Sequence, residues 1–236
     1  MTKGNINSLH IAEKYGVSSE TIRKDLLYLE QQGIAKKGYG GAVIASEMRE
    51  LSFARKVMEH QEQKTQIAKA AVDIVEDGSS LLLDSGSTVL CIAEQIALKK
   101  NVTVFTNSLK SAQCLSNYGV RVYLLGGEVR STSNAVVGGW ALEALREIRV
   151  DLAFMGTSGF CQRQGPCIEN FNECDVKRAM IHSAVKTAVV ADSSKAQSNA
   201  LVQFARWEEL DLLITNAGAD PATLEALRKK IKVITV

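Results

Sequence analysis

At 236 residues and 46% hydrophobic, with no long apolar stretch, the chain can bury a substantial core and carries no sign of a membrane span. Five cysteines, an odd number in a chain too long to need disulfide staples, point to a reduced cytoplasmic protein; Cys161, Cys167 and Cys174 lack the spacing zinc prefers, so neither a metal nor another cofactor is expected. Charge is uneven: residues 1–45 hold six basic and four acidic side chains, the remainder balances, and a basic head on a neutral body hints at nucleic-acid contact.

Met1–Asn7 holds no apolar segment resembling a signal peptide. Ser8–Tyr15 reads as a short helix with Leu9 and Ala12 on one face and Gly16 as its stop. Ser18 is a good N-cap for a second helix, with Val17 and Ile22 as a hydrophobic staple across it. Ile22, Leu26 and Leu29 form its inward stripe, Gly33 ends it, and Ser19, Thr21, Arg23, Lys24 and Tyr28 stand around its outer side. Two short helices joined this way match helix-turn-helix chemistry, with the second helix entering the major groove. Glycines flank Tyr39, and Lys36 and Lys37 stand beside it, which fits a small wing touching the phosphate backbone. An ordinary amphipathic helix pair with a solvated charged face has the same pattern.

The run Thr21-Ile-Arg-Lys-Asp-Leu26, with Leu29-Glu30, Gly33 and Tyr39-Gly-Gly-Ala42, resembles the winged helix-turn-helix of DeoR-type bacterial repressors. Lys24 stands where that family usually shows Arg, and Tyr39 where it often shows His. The resembled domain normally begins with a further helix before Ser8. Seven residues containing Gly4, Asn5 and Asn7 cannot build it, so the head is expected to be shortened.

Residues 1–45 are thus expected to form a DNA-binding domain and 46–64 a charged linker with helical pieces, the boundary falling near residue 50; residues 65–236 form the body. From Gln63 a stripe of Ile67, Ala70, Ala71, Ile74 and Val75 predicts a helix. Apolar runs at Leu81–Leu83, Val102–Phe105, Val120–Leu125, Leu152–Met155, Ala188–Ala191, Leu212–Ile214 and Val233–Val236 predict strands. Helical patterns at Val89–Leu98, Leu109–Ser116, Trp140–Glu147, Asp175–Val185 and Ala222–Lys230 lie between most of them. The alternation predicts an α/β fold, a mostly parallel Rossmann-like sheet covered on both faces.

Ligands collect at the carboxyl ends of such strands. There stand Asp84-Ser85-Gly86-Ser87-Thr88, Thr106-Asn107-Ser108, Gly126-Gly127, Gly156-Thr157-Ser158-Gly159 and Asp192-Ser193-Ser194-Lys195. A strand, a Gly/Ser turn and a helix start present N–H groups to a phosphate or carboxylate. Ser85, Ser87 and Thr88 add hydroxyl donors or cap the helix in the ordinary way. These motifs, with Asn172-Glu173 and Lys177-Arg178-Ala179-Met180, resemble in order and spacing the sensor domain of the same repressors, which in turn resembles ribose-5-phosphate isomerase. The resemblance implies a phosphate on Ser85, Gly86, Ser87, Thr88 and Lys195, with Asp84 in the same turn. Thr106, Asn107, Gly126, Glu173 and Lys177 then stand near the polyol or in the pocket wall.

An isomerase is the rival reading. Proton transfer between neighbouring carbons needs a placed carboxylate, and Gly156–Phe160 holds none where those enzymes carry an acidic run; Glu169 and Glu173 are the substitutes within reach of the sequence. Binding without turnover is therefore expected. The chain reads as a homo-oligomeric repressor of a sugar or sugar-alcohol operon, with operator DNA and a phosphorylated effector as partners. A sensor module that has lost DNA binding is the third possibility.

Overall fold

The computed structural model describes residues 5–31, 35–38, 41–44, 51–99 and 101–236, with the backbone alone at 5–7, 35–38 and 41–44. The chain divides into two compact units, Met1–Glu59 and His60–Val236. In the first unit β1 (Asn5–Asn7) precedes α1 (Ser8–Tyr15) and α2 (Ser19–Gln31), followed by β2 (Ala35–Gly38), β3 (Gly41–Ile44) and α3 (Phe53–Met58). The strands form an antiparallel sheet in the order β1-β3-β2, Asn5 facing Val43 and Lys37 facing Ala42. Asn5–Asn7, where no helix was expected, thus supply an edge strand. Gly16 turns the chain between the helices at a φ of +64°, the left-handed conformation glycine adopts without strain. Ala12, Ile22 and Leu26 are buried with Ile11 and Leu29 packed against them. Leu9, expected to share a face with Ala12, is 65% exposed, and Ile11 packs against the buried set instead.

The stretch expected to link the domains carries α3 and the start of α4 (Gln61–Asp73), with His60 between them in the left-handed region. The second unit continues with β4 (Ser80–Leu83), α5 (Ser87–Ile96), β5 (Thr103–Thr106), α6 (Leu109–Asn117), β6 (Arg121–Leu124), β7 (Glu128–Arg130) and β8 (Ala135–Val137). Then come α7 (Gly139–Arg146), β9 (Val150–Gly156), β10 (Cys167–Ile168), α8 (Phe171–His182), β11 (Ala184–Val190), β12 (Val202–Gln203), β13 (Leu212–Thr215), α9 (Pro221–Arg228) and β14 (Lys232–Thr235).

Seven strands form one parallel sheet in the order β14-β13-β11-β9-β4-β5-β6. From β4 the chain steps outward to β5 and β6, then returns to β9 and steps the other way. The strand order therefore reverses between β4 and β9, where an α/β sheet opens its binding crevice. Successive side chains point to opposite faces. Leu81 and Leu83 pack with Phe154, Val190 and Ile214 under α4 and α5, through Ile67, Ala71, Val89 and Ile92. Leu82 packs with Ala153, Met155 and Val189 under α7 and α8, through Ala141, Leu145, Cys174 and Met180. Burial on both faces is why β4 reads as a continuous apolar run; each such leucine contributes about 1.5–3 kcal/mol. At the opposite end of these strands Asp151 Oδ2 accepts from Ser80 N at 2.8 Å and from its hydroxyl at 2.6 Å, which holds the Asp151 carboxyl below its ordinary pKa.

Two local readings change. The pattern expected to be helical through Val185 ends at His182 in α8, and Val185 lies in β11. The hairpin of β7 and β8 and the small β10–β12 pair had no counterpart in the sequence reading. Among the described residues, no helix is long and apolar enough to cross a membrane.

Candidate functional site

Asp84 lies one residue beyond β4, and its N–H continues the ladder by donating to Phe154 O at 3.1 Å. It follows Leu82 by two, so its side chain turns to the α7–α8 face. There Asp84 Oδ2 accepts from Gly156 N at 2.9 Å and from the Lys177 ammonium, which also donates to Gly156 O at 2.9 Å. Lys177 reaches this point from the middle of α8, its ammonium 5.0 Å from the centre of the Phe204 ring. Both side chains of the pair are 2% exposed. The ends of β4 and β9 meet closely: a Cβ on Gly86 would lie 3.3 Å from Gly156 Cα, and one on Gly156 would lie 3.2 Å from Asp84 Oδ2. Two glycines let the loops touch where the strand order reverses.

Gly86 is the residue before α5, and no side chain caps that helix. Ser108 caps α6, Asn170 caps α8 and Asp220 caps α9, each with a side-chain oxygen accepting a first-turn N–H, whereas α3, α4 and α7 start without a side-chain cap as α5 does; α5 alone of these four starts beside the reversal. The start of α5 thus presents its N–H groups and positive dipole end beside the crevice, an arrangement suited to an anion. Ser85 and Thr88 are buried there and Ser87 is half-buried.

On the neighbouring strand, Thr106 Oγ1 donates to Leu83 O at 2.6 Å and accepts Ser108 N at 3.0 Å. Its hydroxyl is committed to holding β5 against β4. Asn107 binds β8 twice: its Nδ2 donates to Val136 O at 3.2 Å, and its backbone carbonyl accepts from Val136 N at 2.7 Å. Glu173, in the first turn of α8 and 3% exposed, accepts from the Arg130 guanidinium and from Ser133 Oγ at 2.6 Å. That carboxylate therefore ties the β7–β8 hairpin to α8. Asp84 Oδ1, Asn107 Oδ1, Ser111 Oγ and Asp192 Oδ2 are buried without a hydrogen-bond partner among the described residues.

Lys195 sits in a short 3-10 helix after β11, its side chain 23% exposed and Nζ 3.9 Å from Asp192 Oδ2. Because β11 lies two strands from β4, about 10 Å at ordinary strand spacing, it borders the same row of strand ends. Gly126 is exposed with open space around it; its neighbour Gly127 carries the backbone demand, with a φ of +144° and Val137 O 2.3 Å from where a Cβ would stand. Gly156–Phe160 holds no acid, yet the fold brings one there: the Ser158 hydroxyl donates to the Glu169 carboxylate.

In the first unit, Ser18 Oγ accepts Thr21 N at 3.0 Å and so caps α2. Ser19, Thr21, Arg23, Lys24 and Tyr28 are all exposed while Ile22 and Leu26 of the same helix are buried, with Arg23 4.0 Å from Glu20. Lys36 and Lys37 lie on β2 of the antiparallel sheet. Tyr39 and Gly33 fall outside the described residues.

Comparison with known proteins bears on both units. The DeoR C terminal sensor domain matches residues 59–217, and the DeoR-like helix-turn-helix domain matches residues 2–48. The chain belongs to the DeoR family. It is a DNA-binding transcriptional regulator. Among its relatives, the HTH-type transcriptional regulator GlpR of Haloferax volcanii is 33% identical over 92% of this chain and 86% of its own length. The glycerol-3-phosphate regulon repressor of Escherichia coli K12 is 28% identical over 95% of this chain and 90% of its own. A ribose 5-phosphate isomerase A from Methanocaldococcus jannaschii is similar in structure over 61% of this chain and 56% of that one, at 18% identity and a TM-score of 0.41.

In this DeoR-family regulator the fold brings Asp84, Gly86 and Lys177 together at the strand-order reversal, with Asn107 on the adjacent strand. Glu173 points to the hairpin and Thr106 to the sheet. Arg130, Ser133 and Gly156 take part in the arrangement and were not singled out from the sequence for these roles. Gly156 could have been found from its place at a strand end. For Arg130 and Ser133, which lie 43 and 40 residues from their partner, the sequence holds no local signal.

Proposed function

We propose that this regulator represses a sugar or sugar-alcohol operon and is released from or held on its operator by a phosphorylated effector bound at the carboxyl ends of β4, β5 and β11. The observation that carries the reading is the uncapped start of α5 beside the β4–β9 crevice. Backbone donors of Ser85–Thr88 supply directional hydrogen bonds to the phosphate, and Lys195 supplies a point charge from the side of β11. The name of the E. coli K12 relative, a glycerol-3-phosphate regulon repressor, supports an effector of this class. The protein acts in the cytoplasm as a homo-oligomer, because paired DNA half-sites mirror protein symmetry.

The site binds without turning its ligand over. Glu173 is held by Arg130 and Ser133, Glu169 by Ser158 and Asp84 by Lys177, so each of these carboxylates already has a structural partner, which supports binding over proton transfer. Thermal-shift measurement against sugar phosphates and their unphosphorylated forms tests the reading, since a ligand at 100 times its Kd stabilises the folded state by about 2.7 kcal/mol. Only phosphorylated compounds should raise the Tm, and Lys195→Ala should weaken them by about 1.5–3 kcal/mol. Equal shifts with both forms would remove the phosphate site. Turnover of an aldose phosphate that disappears in Glu169→Gln would favour the enzyme instead.

A further inference from the structure

The sheet register pairs Leu83 with Thr106, so Asp84 and Asn107 each stand one residue beyond the paired ends of two neighbouring strands. Asp84 follows Leu82, and Asn107 follows Phe105, by two residues, so both side chains stand on the α8 side of the sheet. Each is 1% exposed and each is half satisfied. Asp84 uses Oδ2 for Gly156 N and Lys177, and Asn107 uses Nδ2 for Val136 O. The remaining oxygens, Asp84 Oδ1 and Asn107 Oδ1, are buried acceptors with no hydrogen-bond partner among the described residues. Leaving such an acceptor unpaired costs about 1–3 kcal/mol, so the pair calls for donors.

We propose that Asp84 Oδ1 and Asn107 Oδ1 form a hydroxyl-reading pair that selects, among phosphorylated ligands, those with hydroxyl groups on neighbouring carbons. This inference rests on the phosphate site proposed above and adds the chemistry beside it. A second anionic group is excluded, because two acceptors repel it. A cation gains little, because Lys177 already balances the Asp84 charge. Neutral hydroxyls supply donors and carry no charge into a buried place.

Both oxygens are closed off, so a ligand reaches them only when their cover parts. Lys177 of α8 lies over Asp84, and β8 is bound to Asn107 through Val136. Glu173 joins α8 to the hairpin through Arg130 and Ser133. Hydroxyl recognition therefore shifts residues 128–137 relative to α8, and phosphate alone does not.

Titration calorimetry on the full chain with glycerol 3-phosphate, sorbitol 6-phosphate, fructose 6-phosphate, propyl phosphate and inorganic phosphate separates the two proposals. At least one hydroxylated phosphate should bind about 100-fold tighter than propyl phosphate, about tenfold for each hydroxyl. Hydrogen exchange at 128–137 should change with that ligand and not with inorganic phosphate. In Asp84→Asn, Gly156 N–H and Lys177 hold the amide oxygen at the Oδ2 position, so the amide nitrogen replaces the unpaired acceptor with a donor. The ratio of affinities for hydroxylated ligands and propyl phosphate should fall at least tenfold in that variant. Asn107→Ser should lower the same ratio, which is read on folded protein if Asp84→Asn proves unstable. Equal binding of propyl phosphate and every hydroxylated phosphate overturns the hydroxyl pair and leaves the phosphate site standing. Failure of all five to bind overturns both.

Discussion

Replacing Lys177 with Met is the sharpest test of how the strand ends are held. The side chain is 2% exposed, and its ammonium joins Asp84 Oδ2 and Gly156 O across the strand-order reversal. Methionine keeps most of the volume and removes the charge and three donors. Asp84 is left buried with Gly156 N as its single donor, and Gly156 O loses its side-chain donor. Removing one partner of a buried ion pair costs about 3–5 kcal/mol. Against a total stability of about 5–15 kcal/mol this is a large fraction, and it corresponds to a Tm lower by about 6–20 °C for a unit of this size. Urea unfolding can be followed by Trp207, which is 1% exposed and sits edge-on to Phe160 at 5.2 Å; Trp140, 79% exposed, is replaced by Phe in both proteins to clear the background. The double variant Asp84→Asn with Lys177→Met carries no unpaired buried charge and should regain about half of the loss. A loss under about 1 kcal/mol for Lys177→Met would refute the buried pair, as would a double variant less stable than the single.

Three further outcomes are expected. Arg23→Ala and Lys24→Ala should each weaken operator binding, by about 1–3 kcal/mol where the side chain reads a base edge, whereas Lys36→Ala and Lys37→Ala should weaken all sequences alike and each lower the salt slope by about 1; mobility shifts across a salt series distinguish them, and no change in either pair would remove the head from DNA. Burial pushes the thiols of Cys167 and Cys174 up, so at pH 7 iodoacetamide should modify them only after unfolding; rapid modification of native protein, read by mass spectrometry, would contradict their packing. The Ser80 hydroxyl, and then its N–H, hold the Asp151 carboxyl low, so its contribution is present above the ordinary carboxylate range near about 4 and is lost as pH falls through the lowered value. The stability gap between wild type and Asp151→Asn should be small, since the site is solvent-screened, and should close in acid; a gap constant to pH 2 would refute the link.

The inner strands of the parallel sheet were legible in the sequence because both faces of the sheet are buried there. Leu81–Leu83, Leu152–Met155 and Leu212–Ile214 each divide between two cores, so each reads as an unbroken apolar run. The glycines and hydroxyls at the strand ends were legible for the same reason, since they interrupt those runs abruptly. The β7–β8 hairpin was not. Its strands have three residues each, and Val129, 49% exposed, faces Val136, 2% exposed, so no two-residue period builds up. The composition of Met1–Asn7 speaks only against a helix, and the pairing of Asn5–Asn7 with β3 depends on residues 34 positions or more away.

α8 shows why the partners of the candidate site resisted a reading from sequence while its members did not. Glu173 and Lys177 are four apart, the spacing at which an exposed helix pairs opposite charges for a few tenths of a kcal/mol. Both are buried instead, and neither is paired with the other in the hydrogen bonds they make. Glu173 goes to Arg130 and Ser133, Lys177 to Asp84 and Gly156, and the helix thereby holds the hairpin with one charge and the strand-order reversal with the other. Each charge is compensated by a group between 21 and 93 residues distant. Local spacing therefore predicts the wrong partner for both, and only the topology supplies the right one. That same topology joins one helix to both Asp84 and the hairpin. The two pairs stand about one turn apart on a helix packed on the sheet by Cys174, Val176 and Met180.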